Sequence, residues 1–305
     1  MAGVSSNTSS WRKRKSAGDI AFDVINVVLL SIICLIVLYP LYFVLIASFS
    51  DPTQVNLGDV WLWVNHFTLQ GYKVLFATSS IWLGFANSIL YSVLSVVISV
   101  PLTLMAAYPL SRKDFVGRNV ITVLLTITLL FSGGMIPTYM LIRGLGMINT
   151  MWALILPGAV GAWNIIIART FISTSIPNEL HEAATIDGCS DFRYLLKIVV
   201  PLSKPLIAVM TLWIVVGQWN SYFPALIYLN SSNLYPLQLV LYQILVENQT
   251  SIGATSNPES MAAQQHLAEL IQYTAIIVSS IPLLVLYPFL QKYFVKGVMV
   301  GSLKA

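Results

Sequence analysis

Residues 24–50 carry no charged side chain, and further apolar stretches of similar length follow along the chain. A helix of about 20 apolar residues crosses the ~30 Å hydrocarbon core of a bilayer, because each residue adds about 1.5 Å. Only 9% of the residues are charged and 57% are apolar, whereas soluble domains carry about 25% charged residues. The sequence therefore excludes a soluble enzyme and predicts a protein that crosses a membrane several times.

These stretches predict an all-α polytopic membrane protein with six transmembrane helices. The predicted spans are residues 24–49, 81–109, 120–142, 151–172, 206–229 and 270–290. The first stretch is longer than the ~7–15 apolar residues of a cleaved signal peptide, so we expect it to be a retained span. The other five form a predicted core over residues 81–290.

The Lys and Arg residues fall almost entirely on one side of the predicted spans. Fourteen of the 16 lie in the two tails, the loop between spans two and three, and the loop between spans four and five, with which Arg169 at the end of span four is counted; Lys73 and Arg143 do not. Basic segments stay on the cytoplasmic side of a membrane. We therefore expect the tails 1–23 and 291–305 to be cytoplasmic and the loop 230–268, which has no Lys or Arg, to be extracellular.

Small residues form a stripe along the second span. They recur every three or four positions, which places them on one helix face: Ser88, Ser92, Ser95, Ser99, Thr103 and Ala106. Small residues let a neighbouring helix approach closely. The sequence does not decide whether that neighbour belongs to this chain or to another subunit.

The loop between spans four and five contains signals for two short helices. Ser175 is a predicted N-cap, and Pro177 suits the first turn of a helix. We expect Gly188 to end that helix in the left-handed conformation, which glycine adopts without a Cβ clash. Ser190 can begin a second helix, and Pro201 marks the entry to the fifth span.

The spacing within this loop, residues 175–201, resembles the EAA loop of permease subunits of ATP-binding-cassette importers. Glu182, Ala183 and Ala184 are followed by three residues, Gly188, nine residues, and Ile198-x-Val-Pro201. The family has Leu where this chain has Val200. Asp187, the Pro-rich residues 201–205, Gly217-Gln-Trp-Asn and the C-terminal residues 291–304 are similar to the second permease subunit of the carbohydrate-uptake branch.

The resemblance implies the type I importer permease fold and a role in ATP-driven uptake of a sugar, in particular an oligosaccharide, across the bacterial plasma (inner) membrane. It implies that the EAA loop couples this chain to a separate ATPase subunit. The implied coupling residues are Glu182, Ala183, Ala184, Asp187, Gly188, Ile198 and Pro201. The other implied partners are a homologous second permease, an extracytoplasmic solute-binding protein and the carbohydrate itself.

ATP and Mg are expected to bind the partner ATPase. A Walker A loop requires a Gly-Lys dipeptide, which this sequence lacks. We therefore predict a transport subunit, not an enzyme, with no catalytic residue, cofactor or metal of its own. The basic residues 12–15 are expected to fix the orientation in the lipid bilayer and not to bind nucleic acid.

Polar residues lie within several spans, and five are predicted to line a substrate pathway: Asn87, Asn164, Gln218, Trp219 and Asn220. Amides can hydrogen-bond sugar hydroxyls, and aromatic rings can stack on sugar rings. The same residues can instead hydrogen-bond one helix to another, and the sequence leaves both interpretations open. Because no basic residue lies near the middle of a span, we expect a neutral or weakly charged sugar.

A stand-alone secondary transporter of a neutral solute is the alternative function. It predicts uptake without an ATPase. Proton-driven transporters use ionisable groups inside the membrane, and the middle of each predicted span lacks them. A non-transporting scaffold is a weaker alternative, because it gives the EAA spacing no purpose.

Overall fold

The computed structural model describes residues 16–252 and 258–302, and every regular element within those ranges is a helix. The predicted tail residues 1–15, the loop residues 253–257 and residues 303–305 lie outside the described part. The chain divides after Thr68 into two compact units.

The first unit consists of a long apolar helix and a folded loop. Helix α1, Ala17–Ala47, begins after Ser16, whose backbone N–H donates to the Asp19 carboxylate at 3.1 Å. Nearly all of its side chains are exposed, as expected of a membrane span, whose apolar surface faces lipid. Helix α2, Pro52–Asn56, follows and is capped by the Asp51 carboxylate.

The second unit contains the remaining helices. The first of them are α3 (Gln70–Ala77), α4 (Ser79–Ser111), α5 (Arg118–Leu130), α6 (Met135–Gly144), α7 (Trp152–Ile155), α8 (Ala162–Ser175) and α9 (Asn178–Ile186). Next come α10 (Asp191–Tyr194), a π-helical turn (Leu195–Val199), α11 (Val200–Leu202), α12 (Lys204–Trp219) and α13 (Phe223–Tyr228). A 3-10 turn (Ser232–Leu234), α14 (Leu237–Ile252) and α15 (Pro258–Ser302) complete the unit.

Helix α4 is the central helix of the second unit and packs against α8, α12 and α14. The five hydroxyl residues of its small-residue stripe are all buried, each with at most 4% of its surface exposed. The Ser88 Oγ accepts the backbone N–H of Leu237 at 2.8 Å, which ties the start of α14 to α4. The close neighbours of the stripe therefore belong to this chain.

The predicted span 120–142 is not one helix. It divides into α5 and α6, and the chain bends by 113° between them. The break contains Ser132, Gly133 and Gly134, which favour helices weakly, and Gly134 has φ +84°.

Two further predicted spans are also interrupted. Within 151–172 the four-residue α7 is separated from α8 by a break that contains Pro157 and Gly158. Within 206–229 the helix α12 ends at Trp219, and α13 begins at Phe223. Pro224 lacks the N–H that a continuous helix needs at that position.

Among residues 16–252 and 258–302, three segments are long and apolar enough to cross a membrane singly: α1, α4 and the Ala268–Pro288 part of α15. The bent pair α5–α6 and the bent pair from Asp191–Leu202 to α12 raise the number of candidate spans to as many as five. The count of six predicted from the sequence thus exceeds what helix length and composition alone support.

Gly84→Val is expected to loosen the packing of α14 on α4. A Cβ at Gly84 would lie 3.1 Å from the Leu237 Cα and 3.2 Å from the Val240 Cγ2, and the Leu237 backbone cannot easily move aside. Overpacking of this kind costs about 1–3 kcal/mol, so the melting temperature of the purified protein should fall. Gly144→Val is the control, because a Cβ there meets nothing within 4 Å. Equal melting temperatures for the two variants would contradict this packing.

Candidate functional site

The EAA loop folds as a short helix, a glycine turn and a second helix. Helix α9 ends at Ile186, and Gly188 follows with φ +70°. The N–H groups of Gly188 and Cys189 donate to the carbonyls of Thr185 and Ala184 at 3.0 and 2.9 Å. Two carbonyls in the last turn of α9 thereby gain hydrogen-bond donors. The predicted left-handed turn at Gly188 is confirmed.

The start of α9 differs from the prediction. Ser175 is the last residue of α8 and does not cap α9. Pro177 is extended, with φ −61° and ψ 142°, and the first helical residue is Asn178. The error arises because α8 continues for three residues beyond the predicted end of span four.

The two alanines of the motif differ in exposure. Glu182 and Ala183 are exposed, but Ala184 is only 8% exposed and packs in a core cluster with Tyr194 and Leu195. Successive helix residues are about 100° apart, so Ala184 can face the core while Ala183 faces outward. Of the two alanines that the resemblance implies as coupling residues, Ala183 is therefore accessible to a partner and Ala184 is not. Ile186, by contrast, is 87% exposed.

The remaining predicted coupling residues lie along the connection to α12. Asp187 and Gly188 are exposed, and Pro201 is exposed within α11. Ile198 belongs to the π-helical turn and packs partly buried against the same core cluster as Ala184. A bend of 79° separates the segment Asp191–Leu202 from α12. Single π turns occur frequently at functional sites.

A polar cluster joins the EAA loop to the end of α4, and we call it the Asp191 cluster. The Asp191 Oδ1 accepts the Tyr108 hydroxyl at 3.0 Å and the Arg112 Nη1 at 3.2 Å. The His181 Nε2 lies 3.2 Å from the same oxygen. Arg112 also binds Asp114, with Nε 2.9 Å from Oδ1. One carboxylate thus connects α9, α10 and α4.

The cluster also sets the ionisation of its carboxylates. The hydrogen bond to His181, followed by that from Tyr108, lowers the pKa of Asp191 below its ordinary value. The hydrogen bond from Arg112 lowers the pKa of Asp114 to about 2. Both groups are therefore ionised at neutral pH, which keeps their hydrogen bonds charge-assisted.

A second candidate site is a cavity of about 440 Å³ between α4, α8 and α12. Its polar and aromatic lining consists of Ser95, Ser99, Trp163, Asn164, Trp213 and Gln218. The Ser95 Oγ is buried and has no hydrogen-bond partner within the described part of the chain. Hydroxyls, amides and indoles can together contact a hydroxylated, uncharged ring.

The structure brings only two of the five predicted pathway residues to this cavity, Asn164 and Gln218. Trp219 does not line it, because its ring is 2% exposed and its Nε1 donates to the Ser279 carbonyl at 2.9 Å. The Asn220 Nδ2 donates to Val216 within its own helix at 2.9 Å.

Asn87 is also occupied by internal contacts. Its Nδ2 donates to the carbonyls of Asn233 and Tyr235 at 2.8 and 3.0 Å, so it holds the loop after α13. For Asn87 and Trp219 these contacts favour the alternative of helix packing.

Trp213 was not predicted as a pathway residue. It stands five positions before Gln218, which is about 140° around a helix, so helical periodicity gave no signal for it.

Comparisons with known proteins agree with these features. Residues 88–300 match the family described as binding-protein-dependent transport system inner membrane component. The polygalacturonan/rhamnogalacturonan transport system permease protein YtcP of Bacillus subtilis (strain 168) is 38% identical over 93% of this chain and 98% of its own length. Protein LplC of the same organism is 37% identical over 93% of this chain and 95% of its own length.

A solved structure has a similar fold over most of the chain. A chain of a bacterial ABC transporter involved in the import of the acidic polysaccharide alginate superimposes with a TM-score of 0.81. It is 32% identical in sequence, and the match covers 92% of this chain and 99% of that chain.

Asp191→Asn is expected to destabilise the EAA loop by about 1 kcal/mol, because it weakens several hydrogen bonds at a largely exposed position. The measurement is the melting temperature of the purified protein, with Asp187→Asn, an exposed residue outside the cluster, as control. A lowered pKa stabilises the fold above the ordinary carboxyl value of 3.8, and this contribution is lost as pH falls through the lowered value. The difference in melting temperature between Asp191→Asn and the control should therefore be full at pH 7 and become smaller in acid. Equal melting temperatures at pH 7 would refute the role of Asp191.

Proposed function

The chain belongs to the family of binding-protein-dependent transport system inner membrane components, and from this premise we propose that it is the permease subunit of an ATP-driven oligosaccharide importer. The observation that carries the proposal is the EAA loop, whose exposed helix and glycine turn are joined by the Asp191 cluster to the central helix α4. An ATPase docked on α9 would thereby act on the membrane-embedded part of the chain.

The proposed membrane arrangement has six spans and cytoplasmic termini. The spans are α1, α4, the α5–α6 pair, the segment of α7 and α8, α12 and the apolar part of α15. The uneven distribution of Lys and Arg supports this orientation. In it, the EAA loop and the Asp191 cluster lie on the cytoplasmic side, where an ATPase has access to ATP.

The proposed docking surface is the outward face of α9. Glu182, Ala183 and Ile186 are exposed there, while Ala184 holds the opposite face against the core. An exposed isoleucine beside a small residue suits an apolar groove, and Glu182 suits a basic residue at its edge. ATP and Mg²⁺ belong to the ATPase subunit in this proposal, and the permease carries out no chemistry.

The proposed route for the sugar passes the cavity between α4, α8 and α12. A homologous second permease forms the other half of the pathway, and an extracytoplasmic solute-binding protein delivers the sugar to the outer loop of residues 230–268. Two indoles can stack on pyranose rings, and Asn164 and Gln218 can hydrogen-bond their hydroxyls. The similar alginate importer carries an acidic polysaccharide, so the expectation of a neutral sugar has no support from it.

Ala183→Arg is expected to abolish co-purification of the ATPase and to leave the fold intact. The side chain at this position is exposed, so the larger residue meets the ATPase and not the core. The tagged variant is co-expressed with its second permease and ATPase and purified in mild detergent. The amount of ATPase that co-purifies should be at least tenfold lower than with the original chain. Ala183→Ser is the matched control and should retain it.

Ala184→Leu tests the opposite face of the same helix. Because Ala184 is buried, the added atoms should lower the melting temperature by an amount equivalent to about 1–3 kcal/mol. If Ala183→Arg lowered the melting temperature as much as Ala184→Leu and still retained the ATPase, the assigned faces of α9 would be wrong.

Gln218→Ala and Trp213→Ala are expected to reduce sugar uptake at low sugar concentration at least fivefold. Removal of a hydrogen-bonding or stacking group costs about 1–3 kcal/mol when the group contacts the ligand. Uptake of labelled oligogalacturonides and oligoalginates into vesicles holding the complete transporter measures this. Asn87→Ala is the control amide, and it should lower the melting temperature and not the uptake per folded transporter. Unchanged uptake in both cavity variants would exclude the cavity from the route.

A further inference from the structure

The loop that closes the first unit presents two tryptophans at its surface. Trp61 is 71% exposed and Trp63 is 81% exposed, and Leu62 between them is 56% exposed. Indole rings concentrate at membrane–water interfaces, because the ring is apolar and its N–H is polar. Contiguous exposed apolar side chains mark a surface that contacts a partner or a lipid.

The loop is held in one arrangement at the end of α1. The Thr68 N–H donates to the Phe49 carbonyl at 2.9 Å, and the Asp51 N–H donates to the Asn65 carbonyl at 3.1 Å. The rings of Phe49 and Phe67 stack with centroids 5.9 Å apart and an angle of 8° between their planes. The chain thus turns back beside the end of the helix.

The level of the tryptophans is set by one hydrogen bond. The Tyr42 hydroxyl donates to the Leu62 carbonyl, so Leu62 lies beside Tyr42 and not beyond the end of α1. Tyr42 follows Asp23, the last charged residue before the apolar stretch, by 19 positions. At about 1.5 Å per residue this is about 28 Å, close to the ~30 Å hydrocarbon thickness. With Asp23 at the inner boundary of the bilayer, Leu62 reaches the outer boundary.

We propose that Trp61, Leu62 and Trp63 form an interfacial anchor that inserts among the lipid headgroups of the outer leaflet and fixes the depth of α1. The proposal rests on the topology given under the proposed function. Lipid is the occupant because the patch is continuous with α1, a candidate membrane span with exposed apolar side chains, and because it lies at the level where the hydrocarbon ends. A neighbouring protein on this patch is the outcome that the test must separate.

The test places a nitroxide label on Leu62 in the complete transporter, in vesicles of phosphatidylethanolamine and phosphatidylglycerol. Leu62→Cys is made in a background with Cys34→Ala and Cys189→Ser, the two native cysteines. The hydrogen bond from Tyr42 goes to the Leu62 backbone and is kept. Leu30→Cys, within the apolar stretch, and Asp59→Cys, a charged loop position, provide the buried and aqueous references.

Accessibility to oxygen and to a water-soluble nickel chelate is then measured. The anchor predicts a ratio of the two for Leu62 between those of the references. Trp61→Ser with Trp63→Ser should raise nickel accessibility at least twofold, and the paired Tyr variants should leave it near the original value. A ratio equal to that of Asp59 overturns the proposal, as does low accessibility to both reagents, which means that protein covers the patch. ATP-driven sugar uptake by the chain without substitutions is scored separately in the same kind of vesicle. Absence of that uptake, with the label at the expected depth, refutes the importer and not the anchor.

Discussion

The hydrocarbon core of a bilayer offers the backbone no water, so every interruption of a helix there must lie within protein or beside a water-filled cavity. This constraint explains where the candidate pathway lies. The predicted spans are broken between α5 and α6, between α7 and α8, and between α12 and α13. The cavity of about 440 Å³ has Gly158 from the second break and Gln218 from the end of α12 in its lining. Of the three breaks, the one between α7 and α8 therefore borders the cavity, and the last turn of α12 supplies an amide to it.

The central helix α4 connects the two candidate sites. Its serine face contacts the cavity through Ser95 and Ser99, and its far end supplies Tyr108 and Arg112 to the Asp191 cluster. A displacement of α9 would therefore be transmitted to α4 through the Asp191 cluster. The π turn and the 79° bend before α12 give a second connection from the EAA loop to the cavity. Both connections are physical contacts within one chain, and such contacts carry energetic coupling between two sites when an element along them has two arrangements.

Much of this architecture could be predicted from local sequence, because its causes are local. The apolar stretches, the serine stripe and the left-handed Gly188 depend on neighbouring residues and on helix periodicity. Contacts between distant residues could not be predicted. Tyr108 and Asp191 are 83 positions apart, and no single-sequence pattern pairs them. The burial of Ala184 and Trp219 was missed for the same reason, since motif spacing does not show which side of a helix faces the core.

The most direct measurement is sugar uptake by reconstituted vesicles under defined energy sources. Vesicles would contain this chain with its second permease and ATPase, and sugar-loaded binding protein would be added outside. The account predicts that uptake requires ATP inside, stops with a non-hydrolysable ATP analogue and requires the binding protein. Accumulation of sugar by this chain alone, driven by an ion gradient without ATP, would contradict it and establish a secondary transporter.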